Sequence, residues 1–135
     1  MEIDLMKRPR PADDPDTAGF FEAARRGELV ICVCQSCNAV LHLPRGFCHH
    51  CRSSQVGWKQ VSGEARLYSW TTVVRPVLPS FPVPYTVVLV ELDDAPGVRL
   101  IGHLPGEPEL QAGMPMRVHF EDRDDGVVLP NFKPV

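Results

Sequence analysis

The hydrophobic and polar positions of the N-terminal third predict one short helix followed by a strand. Residues 16–27 begin with Asp16 or Thr17 as a possible N-cap, place Phe20 and later alanines on one helical face, and end at Gly27. The apolar run over residues 28–33 is typical of a strand. Residues 1–15 are rich in Pro, Asp and Arg and have little to bury, so we expect an extended arm that orders on a partner or frays.

Five short runs of β-branched and aromatic residues follow, from about Trp58 to the C-terminus. They are ARLYSWTTVV, YTVVLVEL, VRLIGHL, MRVHFED and VVLPNF. Turn residues at 93–97 and 121–126 separate two pairs of runs. This spacing, without a long helical period, predicts a small barrel or sandwich, and five is the strand count of an OB-fold. A six-stranded sandwich or an SH3-like barrel would give a similar pattern.

Length and charge narrow the possible classes of protein. The chain has 135 residues and a formal net charge of -3, which fits one ordinary domain or two very small ones and does not indicate a polyanionic partner. No run approaches the roughly 20 apolar residues of a membrane span or the apolar core of a signal peptide. We therefore expect a cytoplasmic protein without a membrane partner. In a reducing compartment, clustered cysteines indicate a metal site or redox group rather than disulfides.

All five cysteines lie between positions 32 and 51. Four of them form two C-x2-C pairs separated by ten residues, namely Cys34, Cys37, Cys48 and Cys51. Two such pairs bring four thiolates to one point, which suits tetrahedral zinc with Zn–S distances of about 2.3 Å. Because four protein ligands leave no open position for substrate water, we predict one structural zinc ion.

The surroundings of this cluster leave few alternatives. The same four thiolates could hold a single redox-active iron ion. Cys32 lies two positions before Cys34, so strand alternation predicts that it packs beside the site as a small apolar group rather than acting as a nucleophile. His49 and His50 lie between two predicted ligands, and we expect them to face solvent.

Each cysteine pair also needs a sharp backbone turn behind its second cysteine. Asn38 occupies this position after the first pair and tolerates the left-handed conformation. Arg52 occupies it after the second pair and adopts this conformation less readily.

The sequence contains no common catalytic motif. A G-x-S-x-G elbow, a phosphate-binding glycine loop and H-E-x-x-H are all missing. His42, His103 and His119 each lie in an apolar, strand-like context, where a partly buried histidine is expected rather than a general base. We therefore predict that the chain is not an enzyme by itself, and we assign no catalytic or cofactor-binding residues.

Several short motifs occur in a fixed order along the chain. They are GEL at 27–29, Pro44, SG at 62–63, VELD at 90–93, GMP at 113–115 and the closing LPNFKPV. Together with the cysteine pairs, they resemble the zinc-ribbon plus OB-fold proteins of domain-of-unknown-function family 35, over nearly the whole chain from about residue 11. The second pair reads CHHCR, where members often have a proline after the first cysteine and a small residue after the second. This departure leaves all four predicted ligands in place.

The resemblance implies a mainly β fold with three parts. These are an extended arm over residues 1–15, a short helix with a rubredoxin-like zinc ribbon over residues 16–57, and a five-stranded OB-fold barrel over residues 58–135. The apolar tail VVLPNFKPV has no clear place in a five-stranded core, so we expect it to dock on a partner.

The resemblance also implies a function. Proteins of this kind are non-catalytic accessory subunits that bind and stabilise a thiolase-fold enzyme acting on acyl-CoA substrates. The partner classes are thiolases, acyltransferases and the retro-aldolases that shorten steroid side chains. The chain would then meet acyl-CoA only through a hetero-oligomeric complex.

A nucleic-acid-binding module is the second hypothesis, because OB-folds and zinc ribbons both serve this purpose. Such an OB-fold needs a basic groove with aromatic platforms on its second and third strands. Residues 84–103 contain one basic residue, Arg99, and one aromatic residue, Tyr85. Because so few cations would give weak, salt-sensitive binding, we expect no nucleic-acid partner. A rubredoxin-like iron electron carrier is the third hypothesis.

Overall fold

The computed structural model describes residues 4–123 and 125–135, in which one helix and seven strands form. The elements are α1 (Ala18–Arg25), β1 (Leu29–Cys34), β2 (Val56–Val61), β3 (Glu64–Val73), β4 (Tyr85–Leu92), β5 (Arg99–Pro105), β6 (Pro115–Asp122) and β7 (Val128–Pro134). Strands β1 and β2 pair with each other, and the other five form an antiparallel sheet in the order β5-β4-β3-β6-β7. The mainly β class, with a short N-terminal helix, a zinc ribbon and an OB-like sheet, is confirmed. No described helix is long and apolar enough to cross a membrane.

Helix α1 begins and ends where the sequence predicts. Thr17 is the N-cap, and the left-handed backbone of Gly27, with φ of 74°, turns the chain away from the helix. Ala23 and Ala24 are buried, and Phe20 packs against the main hydrophobic core. The helix therefore lies with its apolar side on the strands that follow it.

The core of the barrel is built by alternation along its strands. On β4, every second residue from Thr86 to Leu92 is buried, and the residues between are partly exposed. Leu67 of β3, Met116 of β6 and Phe132 of β7 fill the same interior. This period of two is the pattern expected when one sheet face covers a core.

Strands β5 and β7, the two edges of the sheet, meet across a seam. The side chain of Asn131 on β7 accepts a hydrogen bond from the His103 backbone N–H of β5 at 2.8 Å. It also donates to the Glu121 carboxylate of β6 at 2.6 Å. At Gly102, a Cβ atom would lie only 3.1 Å from the Phe132 backbone nitrogen, so a glycine at this position allows the two strands to approach.

The C-terminal tail is part of the barrel core. It forms β7, which pairs with β6 along its length, and Phe132 is 1% exposed within the core. The strand predicted for VVLPNF is therefore present, and the expectation that the tail has no clear place in a five-stranded core is wrong. Pro130 and Pro134 are nevertheless compatible with β7, since prolines are tolerated in an edge strand.

The ribbon and the barrel share part of their core. Leu29 and Ile31 of β1 belong to the same buried cluster as the barrel residues. The imidazole Nε2 of His42 lies 2.9 Å from the Arg99 carbonyl oxygen on β5. The predicted boundary between residues 57 and 58 falls inside β2. A single strand therefore runs from the ribbon into the barrel without a break.

The described part of the N-terminal arm lies against the barrel. Arg8 pairs with Glu121 of β6 at 2.7 Å. Arg123 donates to the Arg8 carbonyl at 2.8 Å and to the Pro9 carbonyl at 2.9 Å. Residues 1–3 of the predicted arm lie outside the described residues.

Candidate metal centre

Two tight turns position the four cysteines. In the first turn, the backbone N–H of Asn38 donates to the Cys34 carbonyl at 2.9 Å. In the second turn, the backbone N–H of Arg52 donates to the Cys48 carbonyl at 2.8 Å. Asn38 and Arg52 have φ values of 62° and 65°, so both are left-handed as the turns require. The arginine adopts this conformation despite its weaker preference.

The four sulfur atoms come together at one point. The Sγ atoms of Cys34 and Cys51 are 3.5 Å apart, those of Cys37 and Cys48 are 3.7 Å apart, and all four lie within 4.8 Å of one another. Tetrahedral Zn–S bonds of about 2.3 Å place sulfur atoms about 3.8 Å apart. The arrangement therefore fits one metal ion at its centre, and the zinc-ribbon domain can hold a single ion.

Backbone amides favour the thiolate form of the two buried cysteines. The backbone N–H of Cys37 lowers the pKa of Cys34 to about 6, although removal from water opposes the shift. In the second turn, the N–H of Cys51 lies 3.4 Å from the Cys48 sulfur and lowers the pKa of that thiol. Both turns thus use the same device to stabilise a negative sulfur.

The two exposed cysteines, Cys37 and Cys51, have raised pKa values instead. The amide of Ala39 lowers the pKa of Cys37, but removal from water and the neighbouring thiols together raise it to about 12. For Cys51, the amide of Ser53 lowers the pKa, but the thiol of Cys34 and removal from water raise it by more. The pKa of Cys51 therefore lies above its usual value. Four sulfurs at this spacing cannot all be negative without a cation among them. A divalent ion supplies the missing charge, which is consistent with the thiolate chemistry of zinc.

The cluster rests on a small hydrophobic base. Leu41 is 1% exposed and packs with the buried Cys34 and Cys48. Cys32 belongs to this same base and lies outside the four-sulfur cluster, which agrees with its predicted packing role.

Sequence reasoning missed a direct link between the two turns. The hydroxyls of Ser36 and Ser53 are 2.8 Å apart, so the turns hydrogen-bond to each other next to the metal ligands. Their only signal is one serine inside the first cysteine pair and another two residues after the second pair, which is too common a pattern to interpret without coordinates.

The histidines do not join the metal cluster. His49 and His50 are exposed, as expected. His103 and His119 are partly buried in strands, also as expected. His42 differs from the prediction: it is exposed and lies outside any strand, and its imidazole reaches across to the Arg99 carbonyl.

The face of the barrel that would read nucleic acid has few available cations. The Arg99 guanidinium lies 3.8 Å from the Tyr68 ring centroid and pairs with Glu91 at 3.3 Å. On the same sheet, Ile101 is 68% exposed, so part of the surface is apolar. Trp70, on the neighbouring part of the sheet, is 40% exposed.

Two family models match consecutive parts of the chain. The rubredoxin-like zinc ribbon domain of ChsH2 matches residues 21–57, and the C-terminal OB-fold domain of ChsH2 matches residues 58–121. Two curated relatives also match. A probable enoyl-CoA hydratase alpha subunit of Thermomonospora curvata is 37% identical over 94% of this chain, and the 3-oxo-4,17-pregnadiene-20-carboxyl-CoA hydratase alpha subunit of Mycobacterium tuberculosis is 31% identical over 92%. The chain spans 40% of the length of each.

Solved structures give the same assignment. A chain of the Ltp2-ChsH2(DUF35) aldolase superposes with a TM-score of 0.85 at 35% identity, covering 93% of this chain and 98% of that chain. A DUF35-family protein of unknown function from Sulfolobus solfataricus superposes with a TM-score of 0.57 at 17% identity over 77% of each chain, which supports the fold alone. The predicted resemblance is confirmed: the chain belongs to the ChsH2 group of zinc-ribbon plus OB-fold proteins within domain-of-unknown-function family 35.

Proposed function

We propose that this chain is a non-catalytic subunit that binds and stabilises a thiolase-fold enzyme acting on acyl-CoA substrates. One zinc ion, held by Cys34, Cys37, Cys48 and Cys51, fixes the shape of its ribbon. The observation that carries the proposal is the match to nearly the full length of a chain from the Ltp2-ChsH2(DUF35) aldolase. Among the possible partner reactions, retro-aldol cleavage is the one that this likeness favours.

The metal supports a structural role rather than a catalytic one. Four thiolates complete a tetrahedral shell, so a bound zinc ion has no open position for water or substrate. The sulfur atoms also lie on a buried base next to the barrel, where they can hold the ribbon in place. The proposed task of the ion is therefore to shape a docking module.

The side chain that we assign as an interface anchor is Trp70. Aromatic anchors contribute strongly to many protein interfaces, and Trp70 is 40% exposed on β3. Tyr68, on the same strand, is 52% exposed, but one face of its ring is already in contact with the Arg99 guanidinium of this chain. These two aromatic residues therefore provide a matched pair for testing the interface.

The experiment is affinity purification of the tagged chain from its native host, with quantitative mass spectrometry of the co-purified proteins. We expect a thiolase-fold protein in near-equal amount. Trp70→Ala should lower its recovery at least several-fold, while Tyr68→Ala should not, and circular dichroism should show both variants folded. The purified complex is then assayed for thiolase, acyltransferase and retro-aldolase turnover of acyl-CoA substrates.

Two results would contradict the proposal. Recovery of nucleic acid or redox enzymes without a thiolase-fold protein would point to the second or third hypothesis. Turnover of an acyl-CoA substrate by the isolated chain would show that it is not a non-catalytic subunit.

A further inference from the structure

The loop between β3 and β4 has few hydrogen bonds to the rest of the molecule. It spans residues 74–84 and is here called the β3–β4 loop. Among the described residues, positions 74–83 make no backbone hydrogen bond to another segment. Their one hydrogen bond to a distant side chain comes from the N-terminal arm, where Nε of Arg8 donates to the Ser80 carbonyl at 3.4 Å. A segment with so few links opens more easily than the strands on either side of it.

Arg8 joins this loop to the barrel. Its guanidinium carbon lies 5.2 Å from the centroid of the Phe81 ring, which is a cation–π distance. The same guanidinium donates to the Glu121 carboxylate of β6 at 2.7 Å. The two charged side chains are 29% and 30% exposed, so salt screens this pair less than it screens a fully exposed one. One arm residue therefore contacts both the loop and the sheet.

The backbone of the arm is held from the other side by Arg123, which directly follows β6. Its guanidinium donates to the carbonyls of Arg8 and Pro9 at 2.8 and 2.9 Å. The side chain is only 11% exposed and pairs with Asp125 at 2.7 Å. Arg10 adds a hydrogen bond to the Asp125 carbonyl at 2.8 Å. The arm is thus fixed at residues 8–10, next to the loop.

The closed position of the loop leaves two polar atoms without partners. Ser80 Oγ and His103 Nε2 are both buried, and no described residue forms a hydrogen bond with either. The Phe81 ring lies 6.0 Å from the His103 ring, centroid to centroid, so it covers part of the imidazole. Buried polar atoms without partners destabilise the state that contains them, and opening of the loop returns water to this region. The closed loop therefore depends on the contacts that Arg8 makes.

We propose that residues 8–10 form a strap that latches the β3–β4 loop onto the barrel, and that release of the strap opens the loop locally. Ser80 and Phe81 then leave the barrel while the sheet stays paired, because the loop lies outside its ladders. The loop follows directly after the strand that carries Trp70, so the strap also defines the surface beside that side chain. This latch belongs to the chain alone and does not depend on the partner enzyme proposed above.

The test places a thiol where its burial reports on the latch. The zinc-loaded full chain carries Ser80→Cys, together with Cys32→Ser, which removes the thiol outside the metal cluster. Labelling by N-ethylmaleimide is followed by mass spectrometry of the peptide that contains position 80. Slow labelling is expected with the strap intact, because the side-chain oxygen of Ser80 is buried. Arg8→Ala removes the ion pair and the ring contact together, so it should accelerate labelling about fivefold or more.

Two further substitutions separate the strap from an effect of charge. Arg123→Ala leaves the Arg8 side chain in place but removes the donors to the arm carbonyls, so it should also accelerate labelling. Lys7→Ala is the matched control, because it removes a neighbouring positive charge whose side chain is 83% exposed and pairs with Asp4 inside the arm. It should label at the rate of the chain with an intact strap.

Hydrogen exchange at the Val88 amide, in the centre of β4, checks that the opening is local. This exchange should be the same in all of these variants. An unchanged labelling rate in Arg8→Ala or in Arg123→Ala would overturn the proposal, and so would an equal acceleration in Lys7→Ala. Faster exchange at Val88 by the same factor as the labelling would also contradict it, since the loop would then open only when the barrel unfolds.

Discussion

The zinc ribbon and the barrel reach a defined shape by different physical means. The buried cluster beneath the metal centre contains four residues, of which Cys34 and Cys48 belong to the four-sulfur cluster and Cys32 and Leu41 do not. The barrel cluster contains thirteen buried residues, contributed by β1, β2, five sheet strands and their turns. A cluster as small as the first cannot repay the entropy of ordering its loops, whereas the second can. The comparison therefore predicts that the ribbon depends on its ion and the barrel on its packing.

The largest expected effect comes from removing one metal ligand. Cys48→Ser should abolish stable zinc binding and unfold the ribbon, because the binding energy of a structural zinc ion is largely folding energy. Hydrogen exchange should then show lost protection in residues 34–55, with protection retained at the centre of β4. Cys32→Ser is the matched control, since Cys32 lies outside the four-sulfur cluster, and it should keep one zinc ion per chain. Retention of zinc and of the wild-type melting temperature by Cys48→Ser would refute the structural role.

Acidification should reproduce this loss without a mutation. The pKa of Cys34 is lowered from 9.0 to about 6, so its contribution to stability is complete above pH 9 and is lost as the pH falls through 6. The raised pKa values of Cys37 and Cys51 act in the opposite direction, and both thiols must lose protons to bind the ion. Protons therefore compete with zinc for all four sulfur atoms, and zinc release, followed with a chromogenic chelator, should rise as the pH falls. A metal content that stays constant down to pH 4 would disagree with thiolate ligation.

The barrel should respond most strongly to loss of core volume. Phe132→Ala removes a ring that is 1% exposed among Met116 and the β4 valines. Deletions of this kind cost about 3–5 kcal/mol of unfolding free energy, because a cavity remains. Urea unfolding should show this loss while zinc stoichiometry at low denaturant stays at one. A change below about 1 kcal/mol would mean that β7 is not a core strand after all.

The same comparison explains what the sequence could predict. The four-cysteine cluster can be predicted from local spacing. Cys34 and Cys37 lie in one turn and Cys48 and Cys51 in another, and this spacing alone is typical of a structural zinc site. The strands could also be predicted from the sequence, because alternation such as that of β4 is a local signal.

Contacts between segments far apart in the sequence could not be predicted. The exposure of Trp70, the reach of His42 to Arg99 and the burial of Phe132 each depend on how strands far apart in sequence come together. The place of the tail in the core was missed for this reason, since its apolar residues fit a docking segment and a closing strand equally well.

The smallest predicted effect tests how the seam between β5 and β7 is held. Asn131 accepts from the His103 backbone N–H and donates to Glu121, so Asn131→Ala leaves a buried N–H unpaired. The expected cost is about 1–3 kcal/mol of unfolding free energy, with faster hydrogen exchange at the His103 amide. Glu121→Ala removes the second bond together with the ion pair to Arg8, and a double-mutant cycle isolates the coupling between Asn131 and Glu121. If the seam is held as a network, the sum of the unfolding free energies lost in the two single variants will exceed the loss in the double variant. Strict additivity would instead mean that packing of Phe132 against Gly102 closes the barrel and that Asn131 only satisfies an amide which would otherwise be unpaired.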